Sequence, residues 1–179
     1  MLVKKLTTSR LLLRPLTRED VSEMYVGWLN DPAVNQYLES RFSVQTLDSC
    51  LAFVDSINAD QNSQLFGMFD LHGHSHIGNI KLGPINTQHK TGDLSLFIGD
   101  KSFWRNGLAT EAICAITRWA FESLGLEKVE AGCYDENTGS LRAFLKCGYS
   151  VEGYLRKHVQ MNDRRIGCFK LGIAKSELC

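Results

Sequence analysis

Apolar positions along this chain follow two periods, and the switches between them mark out the elements. The run from Arg10 to Leu16 reads as a first strand, with Pro15 near its end. Thr17 followed by Asp20 has the spacing of a cap, and Val21, Met24, Tyr25 and Trp28 then recur at helical intervals. That helix is expected to stop near Asn30, because Pro32 disfavours helical dihedrals at Asp31. A second start runs from Val34 to Leu38, and Ser43 is the expected cap of a helix with Leu47, Leu51, Val54 and Ile57 on its apolar face. Leu65 to Leu71 and His76 to Leu82 are strand-like, joined through His72, Gly73, His74 and Ser75 as a hairpin.

Gly92 to Gly99 supplies the next strand. Behind it a helix carries Ala109, Ala112, Ile113, Ile116 and Ala120 on one stripe and ends near Gly125. Lys128 to Tyr134 is a further strand, and the turn at Asp135, Glu136 and Asn137 starts a helix through Leu141, Phe144 and Leu145 that Gly148 stops. Tyr149 to His158 and Arg165 to Ala174 close the chain as a hairpin about Asn162 and Asp163. Strand and helix alternate in the second half, whereas the hairpins argue against a wholly parallel sheet. The expected class is therefore α/β (α+β), with a central mixed, mostly antiparallel sheet flanked by helices on both faces. No repeat, linker or low-complexity segment interrupts the order, so residues 1–179 are read as a single domain.

Composition narrows the function. With 44% hydrophobic residues the chain can bury a substantial core, and 20 basic residues cancel 20 acidic ones. Zero formal charge gives no general pull toward nucleic acid or an anionic membrane, so neither is an expected partner. The start, Met1 to Leu13, has only short apolar runs broken by Arg10 and reads neither as a signal peptide nor as a membrane span. Six cysteines are scattered without Cys-x-x-Cys spacing, which is read as buried reduced thiols in a cytoplasmic protein. His72, His74 and His76 alternate along a hairpin tip without a closing carboxylate or cysteine pattern, and no metal is expected.

The chemistry concentrates between Leu94 and Phe121. An apolar strand, a short polar turn and the run Trp104, Arg105, Asn106, Gly107, Leu108, Ala109, Thr110 open the long apolar helix. A helix start leaves backbone N–H groups unpaired and carries partial positive charge, so such a turn suits a phosphate-bearing ligand. Gly107 lacks a Cβ and lets an oxygen approach the backbone; by itself it also fits a plain strand-to-helix turn.

This stretch resembles the pyrophosphate-binding signature of the GNAT superfamily, the acyl-CoA-dependent N-acetyltransferases. Gly107 and Ala109 fall on the last two fixed positions of its motif, and Thr110, Glu111 and Ala112 continue as in the branch that includes ribosomal-protein N-acetyltransferases. Trp104 stands at the motif's Gln or Arg, and Arg105 and Asn106 replace the Gly and basic residue common in that branch. Asn137, Ser140, Lys146, Gly148 and Tyr149, then Glu152, Gly153 and Arg156, resemble that branch's second segment, and Arg10 to Pro15 its opening. The resemblance covers almost the whole chain.

It implies acetyl-CoA as cosubstrate, held by Leu96, Phe97, Ile98, Arg105, Asn106, Gly107, Leu108, Ala109, Thr110, Asn137, Ser140 and Phe144. Many members have a tyrosine that protonates the leaving thiolate seven residues after the Asn; here that place is Phe144, and some members of the closer branch use a hydroxyl at the position of Ser140. Ser140 also fits an ordinary helix-start hydroxyl, and Asn137 an ordinary N-cap. The resemblance assigns the donor to the thioester oxygen to backbone N–H around Phe97 and Ile98. An attacking amine must be neutral, which asks for a base; Asp93 is the first candidate, with Asp135 and His158 as competitors.

The acceptor side is implied in the first helices and the last hairpin, with Trp28, Tyr37, Arg41 and Tyr154 as the binding candidates. Trp28, Val34 and Leu38 also read as helix-packing residues, which for any one of them is the better fit. The expected function is acetyl-CoA-dependent N-acetyl transfer to a primary amine by direct attack in a ternary complex. The acceptor stays open between a protein N-terminal α-amine and a small amine, including a nucleotide-linked aminosugar or a polyamine. A catalytically silent acyl-CoA-binding sensor module is the other class, and a homodimer is left open.

Overall fold

The structure, a computed structural model, describes residues 5–178. Its strands are β1 (Leu6–Thr7), β2 (Leu11–Pro15), β3 (Gln64–Asp70), β4 (His76–Asn86), β5 (Thr91–Ile98), β6 (Lys128–Tyr134), β7 (Ser150–Met161) and β8 (Arg164–Ala174). Its α-helices are α1 (Glu23–Asn30), α2 (Pro32–Asn35), α3 (Leu47–Ala59), α4 (Leu108–Ser123) and α5 (Thr138–Lys146). The strands form one sheet in the order β1-β2-β3-β4-β5-β6-β8-β7, flanked by helices. β1–β2, β2–β3, β6–β8 and β7–β8 pair antiparallel and β5–β6 parallel, which is the mixed, mostly antiparallel sheet the hairpins and the β-α-β alternation predict.

Two expected helix starts move. Thr17 and Asp20 serve a 3-10 turn over Arg18–Asp20, where the Asp20 carboxylate accepts from Thr17 N at 2.8 Å and pairs with Arg14 at 2.6 Å. α1 is capped instead by Ser22, whose hydroxyl accepts from Tyr25 N. α3 is capped by Thr46 rather than Ser43, with a reciprocal bond from Thr46 N to the Ser49 hydroxyl at 2.9 Å. The second cap wins because it satisfies two helix-end donors rather than one. Met24, assigned to the apolar stripe of α1, is half exposed, while Tyr25, Val26, Trp28 and Leu29 are buried.

The chain divides into two compact units, one taking the chain up to Lys81 together with Leu96–Leu108, the other Leu82–Ser95 and the chain from Ala109 onward. In the first, Tyr25, Trp28 and Leu29 of α1 and Cys50 and Val54 of α3 close a core with Leu16 and Leu65, and Phe97 and Trp104 pack against it. Each fully buried side chain of this size contributes about 1.5–3 kcal/mol. His76 lies in the same unit between the Phe69 and Tyr25 rings, with ring centroids at 4.9 and 6.0 Å and Trp28 edge-on at 5.2 Å. Of the three histidines at the hairpin, His72 and His74 are exposed and His76 is buried as the first residue of β4.

In the second unit the stripe of α4 is buried as the periodicity predicts: Ala112, Ile113, Ile116 and Ala120 have no exposed surface. Thr117 sits on the same helix, and its hydroxyl shares a 2.7 Å hydrogen bond with the buried Tyr149 hydroxyl. Burial raises the Tyr149 pKa, so the phenol stays protonated at neutral pH.

One expectation is overturned here. Cys114 and Cys147 are joined by a disulfide with Cα atoms 5.4 Å apart, while Cys50, Cys133 and Cys168 are buried free thiols. The spacing of 33 residues gives no local signal for this bond, because α4 and α5 bring the two positions together only in the folded chain.

Candidate functional site

The turn ahead of α4 is built by its own residues. Asp100 accepts from Ser102 N at 2.9 Å and from the Ser102 hydroxyl at 2.7 Å, opening a 3-10 turn over Lys101–Phe103. Trp104 then turns inward and donates from its indole to Ile98 O at 2.8 Å, which ties the turn to the end of β5. This gives Trp104 a structural task at the position where the resemblance places a Gln or Arg. Arg105 and Gly107 both have left-handed backbone, with φ of 62° and 78°, and α4 begins at Leu108. A non-glycine residue at such φ is uncommon and belongs where a site over-determines it.

Arg105, Asn106 and Gly107 are exposed, Ala109 and Thr110 half-buried, and Leu108 buried as the anchor of the turn. Around the place of an absent Gly107 Cβ, among the described residues, one heavy atom lies within 4 Å: Nη2 of Arg10, at 3.7 Å. Arg10 Nη1 donates to Asn106 O at 2.8 Å. The open space beside Gly107, the left-handed pair and the helix start together fit a phosphate group. Sequence reasoning placed Arg10 only on the opening strand. No local signal could have found a bond across 96 positions.

Leu96, Phe97 and Ile98 are half-buried at the end of β5. The parallel register of β5 with β6 covers Thr91–Asp93 against Lys128–Glu130, and β5 then continues through Leu94 to Ile98. Gly78 makes room for that segment, since a Cβ there would collide with Phe97 O and Ile98 Cα. The neighbouring Ile77 O accepts from Gly99 N at 2.8 Å.

At the start of α5, Asn137 is the N-cap, its Oδ1 accepting from Ser140 N at 3.1 Å. Ser140 is half-buried, and the Cys133 thiol nearby donates to Tyr134 O and Asn137 O, each at 3.4 Å. Burial pushes the Cys133 pKa up to about 11, so this sulfur remains a thiol at neutral pH and is no nucleophile. Phe144, at the usual tyrosine position, is buried with its ring 5.0 Å from Tyr149. Its place is in the core of the second unit.

Asp93 is half-buried on β5, opposite Glu130, and its charge reaches Tyr149. Asp135 is held in place: Oδ2 accepts from the Tyr154 hydroxyl at 2.7 Å and from Gly167 N at 2.8 Å. His158 is exposed on β7, and its carbonyl accepts from Arg165. Of the acceptor candidates, Trp28 is in the core of the first unit, Tyr37 is half-buried, and the Arg41 guanidinium lies 4.1 Å over the Phe42 ring while donating to Leu38 O. Tyr154 is 47% exposed, and Gly167 leaves it room, because a Cβ there would strike the tyrosine ring. Among the described residues no group of three His, Cys, Asp or Glu is placed to hold a metal, and no helix is long and apolar enough to cross a membrane.

Comparison with known proteins bears on this arrangement. The chain is 28% identical over 158 residues to the uncharacterized N-acetyltransferase YoaA of Bacillus subtilis, covering 88% of this chain and 89% of that protein. It is 27% identical over 152 residues to the spermidine N(1)-acetyltransferase of Escherichia coli, covering 85% and 79%. The fold is shared with spermidine N-acetyltransferase from Vibrio cholerae, solved in complex with CoA and spermine, at a TM-score of 0.85, 23% identity, and 95% and 98% of the two chains. The family model described as an acetyltransferase (GNAT) domain matches residues 10–150, a span that takes in the turn at Gly107 and the start of α5, and the chain therefore belongs to the GNAT family of N-acetyltransferases.

Proposed function

We propose that this chain transfers the acetyl group of acetyl-CoA to a primary amine by direct attack in a ternary complex. The observation that carries the reading is the left-handed pair Arg105 and Gly107 immediately ahead of α4, inside the family match. On this reading Arg105 to Thr110 hold the pyrophosphate through backbone N–H groups, and the backbone at Phe97 and Ile98 meets the thioester oxygen. Asn137 orders the first turn of α5, and Ser140 supplies the proton that the leaving thiolate takes up. Phe144 has no proton to give and is turned into the core. Asp93 removes one proton from the acceptor ammonium, leaving the lone pair that forms the new N–C bond as the C–S bond breaks, and the second proton that the nitrogen sheds on becoming an amide restores the Ser140 hydroxyl. The family match takes in residues of both compact units, which supports treating the chain as one catalytic domain.

For the acceptor we favour a small polyamine-type amine, with Trp28, Tyr37 and Tyr154 each proposed as an aromatic contact; the Arg41 cation would repel a polyammonium and suits instead the phosphate of a nucleotide-linked aminosugar. The likeness to spermidine N-acetyltransferases in sequence and fold supports that choice. A protein N-terminal α-amine is the second reading, favoured by the run of Asn137, Ser140, Gly148, Tyr149, Glu152 and Gly153 that resembles the ribosomal-protein branch. Incubation with acetyl-CoA and an equimolar mixture of spermidine and short N-terminal peptides, followed by mass spectrometry, separates the two. Acetyl-spermidine as the main product is expected; acetylated peptide alone would establish the second reading, and no product with either would point to a silent acyl-CoA-binding module.

A further inference from the structure

We propose that Asp135 is a positioning residue that fixes Tyr154, across Gly167, as the hydrogen-bond acceptor for an N–H of the amine substrate. This rests on the reading of Tyr154 as a contact of the acceptor amine, and it names the atom that makes the contact and the residue that aims it.

All the parts lie in the second unit, where β6 ends. Tyr134 pairs with Cys168 on β8, so Asp135, the first residue past β6, comes opposite Gly167. Asp135 N donates to Gly167 O at 3.1 Å, and Asp135 Oδ2 accepts from Gly167 N at 2.8 Å. On the other edge of β8, Tyr154 pairs with Phe169, which makes Gly167 its diagonal neighbour on the same face. A Cβ on Gly167 would occupy the place of the Tyr154 hydroxyl, so glycine is what lets the phenol cross to Oδ2, to which it donates at 2.7 Å. Just past Tyr154 the ladder breaks. Pairing jumps from Leu155–Cys168 to Val159–Ile166, so Arg156, Lys157 and His158 stand against Gly167 alone. Lys157 has a left-handed φ of 52°, and Arg165 holds the bulge by donating to Lys157 O at 2.7 Å and His158 O at 3.0 Å. Bulges re-aim side chains and are over-represented beside active sites.

The turn that carries Asp135 is braced as well. Asn137 N donates to Tyr134 O at 2.9 Å, which closes a turn with Asp135 and Glu136 at its centre, and Glu136 pairs with Arg164 on β8. The same turn leads through the cap Asn137 to Ser140, so the Tyr154 hydroxyl is tied to the segment that bears the proposed proton donor.

A phenol has one proton to donate. Tyr154 gives it to Asp135, and that bond raises the Tyr154 pKa, so the phenol stays protonated at neutral pH. Any further bond at its oxygen is one it accepts, and the ligand must bring the hydrogen. An amine nitrogen brings it. A carboxylate or phosphate does not, and would meet lone pairs backed by the charge of Asp135. As the amine attacks, its nitrogen gains positive charge, so its N–H bond to the Tyr154 oxygen strengthens toward the transition state. Asp135 acts through Tyr154, and no proton passes between them.

The test measures steady-state kinetics of wild type, Tyr154→Phe, Asp135→Asn and the double variant, with acetyl-CoA and whichever of spermidine or a short N-terminal peptide the wild type acetylates. Tyr154→Phe keeps the ring and removes the hydroxyl; we expect kcat/KM for the amine to fall by about tenfold or more, with the KM for acetyl-CoA unchanged. Asp135→Asn should lose a similar factor, and the double variant no more than Tyr154→Phe alone, because both act through one hydroxyl. Losses that multiply in the double variant would make Asp135 a brace of the turn and overturn the proposal. So would wild-type kinetics in Tyr154→Phe, an equal rise in both KM values, or an Asp135→Asn that fails to fold beside a folded Tyr154→Phe. Wild type that acetylates neither amine would instead bring down the underlying reading and this proposal with it.

Discussion

The indole of Trp28 occupies the volume that a Cβ on Gly99 would need, with Cδ2, Cε3 and Cγ all inside contact distance of that place. Gly99 follows the last residue of β5, so the packing of α1 and the path of the chain out of Ile98 are set together within the first unit. Gly99→Ala is expected to lower stability by about 1–3 kcal/mol through overpacking, measured by urea unfolding. If Trp28 borders the acceptor, as proposed, the same variant raises the KM for the amine more than that for acetyl-CoA. Equal KM changes, or none, would leave Trp28 as a packing residue only.

Ser140 distinguishes a chemical role from a structural one. Asn137 Oδ1 meets the backbone N–H of Ser140, so Ser140→Ala keeps that cap and removes only the hydroxyl. The expected result is a kcat lowered by about 10- to 100-fold with acetyl-CoA affinity little changed. Wild-type turnover would return Ser140 to the helix start. Phe144→Tyr should not compensate, since its new hydroxyl enters a buried site beside Tyr149 and costs about 1–3 kcal/mol if left unpaired.

His76 predicts a pH dependence of stability. Burial lowers its pKa from the ordinary 6.5, against the opposing pull of its bond to Asn79, the charge of Asp20 and its bond to Gly78 O; Arg14 lowers it further. The unfolded chain therefore binds more protons than the folded one just below that ordinary value. The stability gained from keeping His76 neutral is complete above it and is lost as pH falls through it. Between about pH 7.5 and about pH 5.5 this group should remove up to about 1.4 kcal/mol, and His76→Gln should lose that slope. An identical slope in the variant would assign the effect elsewhere.

The disulfide between Cys114 and Cys147 joins α4 to the end of α5, and Cys147 Sγ lies 3.1 Å from Thr110 O in the first turn of α4. Closing a loop of this length is worth about 3–4 kcal/mol in the chain-entropy account. Alkylation of the denatured protein without reductant, read by peptide mass mapping, should label Cys50, Cys133 and Cys168 but neither Cys114 nor Cys147. Prior reduction should add both and lower the unfolding temperature. Labelling of all six without reductant would restore the reading of reduced thiols that the cysteine spacing suggested.

What was legible in the sequence was mostly local. The stripe of α4 follows from Ala112, Ile113, Ile116 and Ala120, the cap of α5 from Asn137, and the left-handed turn from Gly107. Ser43 and Thr46 both offer a hydroxyl that could cap α3, and only the return bond involving Ser49 decides for Thr46. Arg10 beside Asn106, His76 between Phe69 and Tyr25, and Cys114 with Cys147 are pairings made by the folded chain across long separations. Periodicity and spacing carry no information about them.

Titration of acetyl-CoA into wild type and Gly107→Val, with CoA-thiol release measured on the same samples over a panel of amines, tests the central claim most directly. The valine side chain has room beside the turn but no easy route to a φ of 78°, and its methyls would stand where a phosphate is placed. The account predicts acetyl-CoA binding and amine-dependent thiol release by wild type, and affinity weakened by about tenfold or more in a folded Gly107→Val. Equal affinity in the two proteins, or no binding by wild type, would contradict it.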